Sequence, residues 1–363
     1  MARNSKQLTI GVIFIQNALG ECVIGLESLY VLKHIYSCKL IVFAQPTLQN
    51  LLRECDFVDV VESCTKQAID AYACDYALLT NSKTAHIRFA LSTNAKRIVC
   101  ATKFASLLSW RCKSVAIYMW KKYRNYDERE ILLAFVRAIN PKLYDEKFPL
   151  LDLTQSKLPY GKKHAQVVQD HLAKEFAHKG LESSKPCYLI MINPFNNACP
   201  YSLTKQGFIT LIDKIAQIPE CIPLVVTFEK VHKDFMQELE SSLDSTPPPP
   251  QPQNTQSKLI VFCNDNDLLQ LSAWIDRASC VISPSTGTLH LACNQRVPTI
   301  ALYPEYDTRR WATHNKRYVF LHTPRSSITA QEEQEAIAQT IAMLRAMISS
   351  GELESLQLES SQQ

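Results

Sequence analysis

The stretch Val281-Ile282-Ser283-Pro284-Ser285-Thr286-Gly287-Thr288-Leu289-His290-Leu291-Ala292 reads in three parts. A short buried strand over Ser279–Ile282 ends, a sharp turn of small hydroxyl residues follows, and a helix begins. Such a junction gathers unpaired backbone N–H groups and the positive end of a helix dipole at one point, which suits a phosphate or pyrophosphate. Only eight glycines occur among 363 residues, and one of them is Gly287 in this turn. Glycine there lets the backbone turn sharply or approach a ligand closely.

Upstream of the junction, short apolar runs alternate with helical patterns in two series. The first has strands at Leu8–Ile15, Lys39–Ala44, Val58–Val61, Tyr76–Leu79 and Arg97–Ala101, with helices over Cys22–Ile35 and Pro46–Glu54. The second has strands at Cys187–Ile192, Pro223–Thr227, Lys258–Cys263, Ser279–Ile282 and Thr299–Tyr303, the last strand expected. Its helices are expected over Gln206–Gln217, Lys230–Leu243 and Leu268–Ala278. Strands separated by helices of this length mean βαβ units and parallel sheets covered on both faces. The fold class is therefore α/β, with two doubly wound halves whose ligands belong at the carboxyl ends of the strands. The loops Asn17–Cys22 and Ser283–Thr288 fall there, on either side of an expected cleft.

The expected domains are residues 1–150 and 187–350, joined by a linker over 151–186 that includes a helix at Lys163–Ala177. The four prolines Pro247–Pro250 mark a surface insertion within Ser241–Lys258. Thr329 and Glu332 have the spacing of a capping box opening a helix that runs to about Ser349 and is closed by Gly351. Residues 351–363 are polar and read as a disordered tail.

Composition narrows the function classes. The chain is 46% hydrophobic and 20% charged, ordinary for a globular protein. Its 13 cysteines form no Cys-x-x-Cys pair and are odd in number, and the apolar run Leu8–Ile15 is too short for a signal peptide. Reduced thiols and a cytoplasmic location follow as expectations. No apolar run approaches the ~18–20 residues needed to span a bilayer. Residues 1–150 hold 20 Lys+Arg against 13 Asp+Glu, net +7, whereas 151–363 hold 19 against 22, net −3. The first half is the one to face an anionic partner, unless its lysines are only solvated surface.

Four segments resemble the lipopolysaccharide heptosyltransferase family, glycosyltransferase family 9. They are Gln16-Asn17-Ala18-Leu19-Gly20-Glu21; Asp75–Leu79 through Ala95-Lys96-Arg97; Ile192-Asn193-Pro194-Phe195; and Ser285–Ala292 followed by Val297–Tyr303. The last is the most diagnostic, and the resemblance runs from about residue 8 to residue 322. It implies a GT-B fold, two Rossmann-like domains with parallel sheets facing across a cleft, the first on the acceptor side and the second holding the donor. It implies an inverting, metal-independent transfer of a heptose or related sugar from an ADP-activated donor to a lipopolysaccharide inner-core acceptor, with no cofactor and no nucleic-acid partner. A monomer in peripheral contact with the cytosolic face of the inner membrane is the matching expectation. Three departures stand out: Glu21 where the family has Asp, Ser285 where it has Asp, and no aligned donor-loop lysine, the position falling on Tyr201 with Lys205 nearby. They keep open a second reading, a nucleotide-sugar-binding homologue with impaired catalysis.

Glu21 is the candidate general base, since an attacking hydroxyl must lose its proton; an acid favoured by the dipole of its helix is the alternative. Ser285, Thr286, Gly287 and Thr288 are candidates to hold the donor diphosphate, against helix capping by Ser285 or Thr286. His290 either donates to a phosphate or packs beneath the loop. Asn193, Asn196 and Asn197 bring amides to a strand end, for phosphate or ribose or for the turn itself. Glu229 and Asn266 follow later strands and are candidates for ribose and adenine. Asp265-Asn266-Asp267 has a metal-binding form but the position of a helix cap. His164, His171 and His178 are seven apart, not the three or four of paired ligands on one helix face, and no metal is expected. Gly20, Lys121, Lys122 and Arg124 are the acceptor-side candidates, the cations lying in Met119-Trp120-Lys121-Lys122-Tyr123-Arg124 near Trp110-Arg111-Cys112-Lys113. Such basic–aromatic interleaving suits a membrane surface or a phosphorylated acceptor, or is merely an exposed rim.

Overall fold

A computed structural model describes residues 7–16, 18–123, 125–181, 186–195, 199–244, 258–311 and 316–356, the side chains of 240–244 excepted. Asn196, Asn197 and Arg124, like the proline run Pro247–Pro250, lie outside the described residues. The chain divides into two compact units, Met1–Pro159 with Arg309–Thr313, and Tyr160–Thr308 with His314–Gln363.

Unit 1 contains strands β1 (Thr9–Ile13), β2 (Lys39–Ala44), β3 (Val60–Ser63), β4 (Tyr76–Leu79), β5 (Arg97–Ala101) and β6 (Cys112–Val115). They form one parallel sheet in the order β3-β2-β1-β4-β5-β6. Unit 2 contains β7 (Tyr188–Ile192), β8 (Cys221–Phe228), β9 (Ile260–Asn264), β10 (Cys280–Pro284), β11 (Thr299–Tyr303) and β12 (Lys316–Phe320). Its sheet, β12-β11-β10-β7-β8-β9, is also parallel throughout and has the same topology. The expected pair of parallel α/β sheets is what forms. Strand order reverses between β1 and β4 in one unit and between β7 and β10 in the other, so each has a ligand-binding crevice position there.

Burial explains the sequence pattern. Helix Leu19–Tyr36 is buried from Cys22 to Leu32, because sheet residues cover one side and helix Glu128–Ile139 the other. Its Gly25 admits that packing, since a Cβ would lie 2.7 Å from the Phe14 ring. The buried Glu27 carboxylate is paired with Arg129 at 2.8 Å. In unit 2, Ile190, Ile282, Ile300 and Phe208 centre the core.

Two strands escape the sequence reading. β6 and β12 are outer strands, and their residues, Cys-Lys-Ser-Val and Lys-Arg-Tyr-Val-Phe, are half polar because one side is not covered. Thr299–Tyr303 is therefore not the last strand. The capping box is half formed: Thr329 accepts from the Glu332 N–H at 3.2 Å. The Glu332 carboxylate turns instead to the N–H groups of His322 and Thr323, at 2.8 and 3.0 Å. Structure also continues past Gly351, where a tail was expected. Leu353 is buried and the Leu356 N–H donates to the Cys187 carbonyl at 2.7 Å.

Candidate functional site

The unit 2 site is built on the carboxyl edge of its sheet. Asn193 follows β7, Glu229 follows β8, Asn266 follows β9 and Ser285 follows β10. With strand order β10-β7-β8-β9, these four positions stand in a row, Ser285, Asn193, Glu229, Asn266. At a strand spacing of about 4.8 Å the row spans roughly 14 Å. Glu229 and Asn266 are exposed, and Asn266 is in the left-handed region with φ 59°.

At the head of the row, the buried Asn193 amide donates to Ser283 Oγ at 3.0 Å and to Thr286 Oγ1 at 3.1 Å. Ser283 Oγ and Thr286 Oγ1 are themselves 3.0 Å apart. This triangle decides the capping question. Thr286 is the N-cap of helix Gly287–Asn294, yet its hydroxyl faces back toward Ser283 and caps nothing. Ser285 interacts instead with the buried Tyr303 hydroxyl. The first-turn N–H groups thus keep their capacity for an outside acceptor. Residues 285–288 are half-exposed while Leu289 and His290 are buried beneath them. Gly287 has no left-handed φ. Burial holds the His290 imidazole well below its ordinary pKa, and the Lys316 cation adds to the effect, so the ring is neutral at neutral pH.

The remaining sequence candidates in unit 2 separate. Asp267 caps helix Leu268–Arg277, accepting from Leu269 and Gln270 N–H at 2.9 and 3.2 Å. His164 Nε2 is 3.2 Å from the Asp267 carboxylate, His171 packs edge-on against Phe262 and Trp274, and His178 is exposed. Among the described residues no group of three or more His, Cys, Asp or Glu could hold a metal. Lys205 is ion-paired with Glu238 at 2.8 Å. Both line a cavity of ≈350 Å³ with Phe195, Phe228 and Arg325. Tyr201 packs edge-on against Tyr306.

The unit 1 site surrounds Glu21, in the first turn of helix Leu19–Tyr36 and directly after Gly20. The Gln16 amide, oriented to satisfy its neighbours, donates to both Glu21 oxygens at 2.9 and 3.0 Å. Its oxygen accepts from Lys83 and Asn81, each at 3.1 Å. Burial raises the Glu21 pKa above the ordinary 4.5 and Glu128 adds to the rise, while Arg310, Lys83 and His86 oppose it. Glu128 is held by Arg310 at 2.7 Å, and the Glu128 N–H donates to the Arg310 carbonyl at 3.1 Å. The result is a half-buried carboxylate, made more basic than usual, with cations around it. Sequence reading missed these partners. Asn81 and Lys83 follow β4, which lies beside β1, so the switch-point rule could have found them. Arg310 carried no signal, since it enters unit 1 from the far end of the chain.

Of the acceptor-side lysines, Lys121 and Lys122 are exposed on the single turn Lys121–Tyr123. Lys122 lies 5.2 Å from the Trp120 ring centre and 4.6 Å from that of Tyr123. No described helix is long and apolar enough to cross a membrane.

Residues 252–341 match the model of glycosyltransferase family 9 (heptosyltransferase). No curated protein sequence matches the chain. Among solved structures, the chain is similar to an E. coli ADP-heptose lps heptosyltransferase II, with TM-score 0.66, 15% identity, and 93% of this chain and 99% of that one covered. It is also similar to the glycosyl transferase family 9 protein of Veillonella parvula, with TM-score 0.63, 13% identity and coverage of 87% and 86%. A third is E. coli heptosyltransferase WaaC with ADP, with TM-score 0.58, 13% identity and coverage of 92% and 98%. The segment that carries the Ser285–Ala292 junction is thus similar to glycosyltransferase family 9, and the fold of the chain is similar to that of solved heptosyltransferases.

Proposed function

We propose that this protein is an inverting, metal-independent glycosyltransferase that moves a heptose or related sugar from an ADP-activated donor to a lipopolysaccharide inner-core acceptor. The observation that carries the reading is the row Ser285–Asn193–Glu229–Asn266, headed by a helix start whose own N-cap hydroxyl is turned away. A nucleoside diphosphate laid across the strand ends would place its phosphates at Thr286, Gly287 and Thr288. Its ribose and base would then run toward Glu229 and Asn266. Helix-start N–H groups stabilise the negative charge that grows on the departing diphosphate. His290, being neutral, supports the turn from below and contributes no cation. Asn193 fixes the turn by holding Ser283 and Thr286 together.

Glu21 takes the proton of the acceptor hydroxyl as its oxygen bonds to the anomeric carbon. The bond from that carbon to the diphosphate oxygen breaks, and the diphosphate leaves with the electron pair. A carboxylate made more basic by burial takes a proton more readily. Gly20, Lys121, Lys122 and Arg124 are assigned to the acceptor side. The acceptor is met at the cytosolic face of a membrane, with the protein acting as a monomer. The test is ADP release from ADP-heptose, measured with and without a heptose-deficient core acceptor. Acceptor-dependent release lost in Glu21→Ala supports the proposal; no release in the wild type rejects it.

Lys205, engaged by Glu238, and the uncharged Ser285 favour one competing reading, a nucleotide-sugar binder that has lost catalysis. ADP binding by calorimetry, weakened at least about tenfold by Gly287→Val but accompanied by no transfer, is its signature.

A further inference from the structure

The outer edge of the unit 1 sheet carries an exposed apolar surface beside the lysines assigned to the acceptor. β6 is the last strand, and the chain before and after it exposes large apolar side chains. Phe104 is 78% exposed, Leu107 67%, Leu108 71% and Trp110 78%. The first three lie on the short helix Phe104–Leu107 and its end, and Trp110 leads into β6. Beyond the strand, Tyr118 and Met119 are 67% and 72% exposed. Scattered exposed apolar residues are normal, but six within sixteen consecutive residues along one sheet edge are a patch.

Cations are threaded through it. Residues 97–126 contain Arg97, Lys103, Arg111, Lys113, Lys121, Lys122 and Arg124, and no carboxylate. Arg97 stacks over Trp110 at 4.9 Å and Lys103 over Tyr118 at 4.2 Å. Arg111 is held internally, donating to the carbonyls of Leu91, Thr93 and Ala95, and Lys113 and Arg97 also donate, to the carbonyls of Ile139 at 3.0 Å and Trp110 at 2.6 Å. Exposed aromatic rings with cations against their faces, beside exposed aliphatic side chains, suit a membrane interface, where rings sit at headgroup depth and cations meet lipid phosphates. The exposed Lys113 within β6 opposes strand-to-strand pairing with another chain. That favours a lipid surface over a second copy.

We propose that this edge, Phe104–Trp110 with Tyr118 and Met119, docks the protein on an anionic bilayer. The inference deepens the transferase reading by naming where a lipid-linked acceptor is met. Tyr118 lies within electrostatic reach of Glu128 and Arg310, the same two charges that act on Glu21, so the docked edge leads toward the proposed base.

The experiment is co-sedimentation of the full chain with phosphatidylcholine vesicles, with and without phosphatidylglycerol. The wild type should bind the anionic vesicles, more weakly as salt rises. The variant Phe104→Ser/Leu108→Ser/Trp110→Ser should bind at least about tenfold less. All three positions are exposed, so an unchanged melting curve accompanies the loss. In the wild type, brominated acyl chains should quench a fluorescence component that Trp110→Ser removes. Equal binding by wild type and variant, or no preference for anionic vesicles, overturns the proposal. So does tighter binding to a single-stranded oligonucleotide than to vesicles, or a dimer that the triple variant dissolves. Vesicle binding is read without turnover, and a delipidated acceptor should be glycosylated equally by both proteins. A wild type that binds vesicles but transfers nothing therefore sinks the transferase reading alone.

Discussion

Glu21→Gln is the perturbation that bears most directly on mechanism. The substitution keeps the shape but removes the charge and the ability to take a proton. General-base catalysis is worth about 10²–10⁴-fold, so kcat should fall by that factor, about 3–5 kcal/mol in activation free energy. The donor KM should change little, because Glu21 is not among the residues of the proposed nucleotide row. Two effects on stability oppose each other. Gln16 donates to both carboxylate oxygens at 2.9 and 3.0 Å, and a glutamine at 21 keeps one acceptor, so about 1 kcal/mol is lost. Against that, the folded-state pKa of Glu21 is raised, which means folding disfavours its ionised form. The wild type therefore loses stability from this group as pH rises from its unfolded value of 4.5 through its folded value. The variant does not. Compared with the wild type, Glu21→Gln should gain stability progressively as pH climbs past 4.5, read by thermal melts across pH. Transfer rates from a coupled ADP-release assay supply the kinetic half. A kcat within about threefold of wild type, or a variant that loses stability relative to the wild type as pH rises, would refute the reasoning.

Other outcomes are equally concrete. Arg310→Ala removes a cation that lowers the Glu21 pKa and frees Glu128, which raises it, so the acid limb of the kcat/KM profile should move to higher pH. Asn193→Ala deletes a buried amide with donor bonds of 3.0 and 3.1 Å, costing about 1–3 kcal/mol of stability in denaturant titrations and weakening ADP binding. His290 has a folded pKa well below 6.5, so it contributes stability above 6.5 that is lost as pH falls below that value; His290→Gln should flatten this part of the melting profile. Gly207→Ala would place a Cβ 2.2 Å from Glu333 Oε1, whose carboxylate accepts from the Thr204 N–H at 2.6 Å; a loss of about 1–3 kcal/mol is expected.

How far the sequence led depends on what burial writes into it. Inner strands such as Lys39–Ala44, Tyr76–Leu79 and Thr299–Tyr303 are covered on both faces and appear as unbroken apolar runs, so their limits were legible to the residue. β6 and β12 were not, because these two outer strands are half polar, Cys-Lys-Ser-Val and Lys-Arg-Tyr-Val-Phe, and look like loop. The turn at Ser283–Thr288 was legible as a helix start, but which hydroxyl capped it was not. That depends on Asn193, ninety or more positions away, drawing Thr286 backward. The same holds at Glu21. Its position after β1 could be read, whereas Arg310 and Glu128 come to it only through the tertiary fold.

The central claim is that a sugar leaves a nucleoside diphosphate in unit 2 for an acceptor deprotonated by Glu21. Its most direct test is the mass of a heptose-deficient core acceptor after incubation with ADP-heptose and the full chain. The account expects the acceptor to gain one heptose, with one ADP released per acceptor, in wild type but not in Glu21→Ala. An unchanged acceptor mass under saturating donor, with the protein folded and ADP bound, would contradict it.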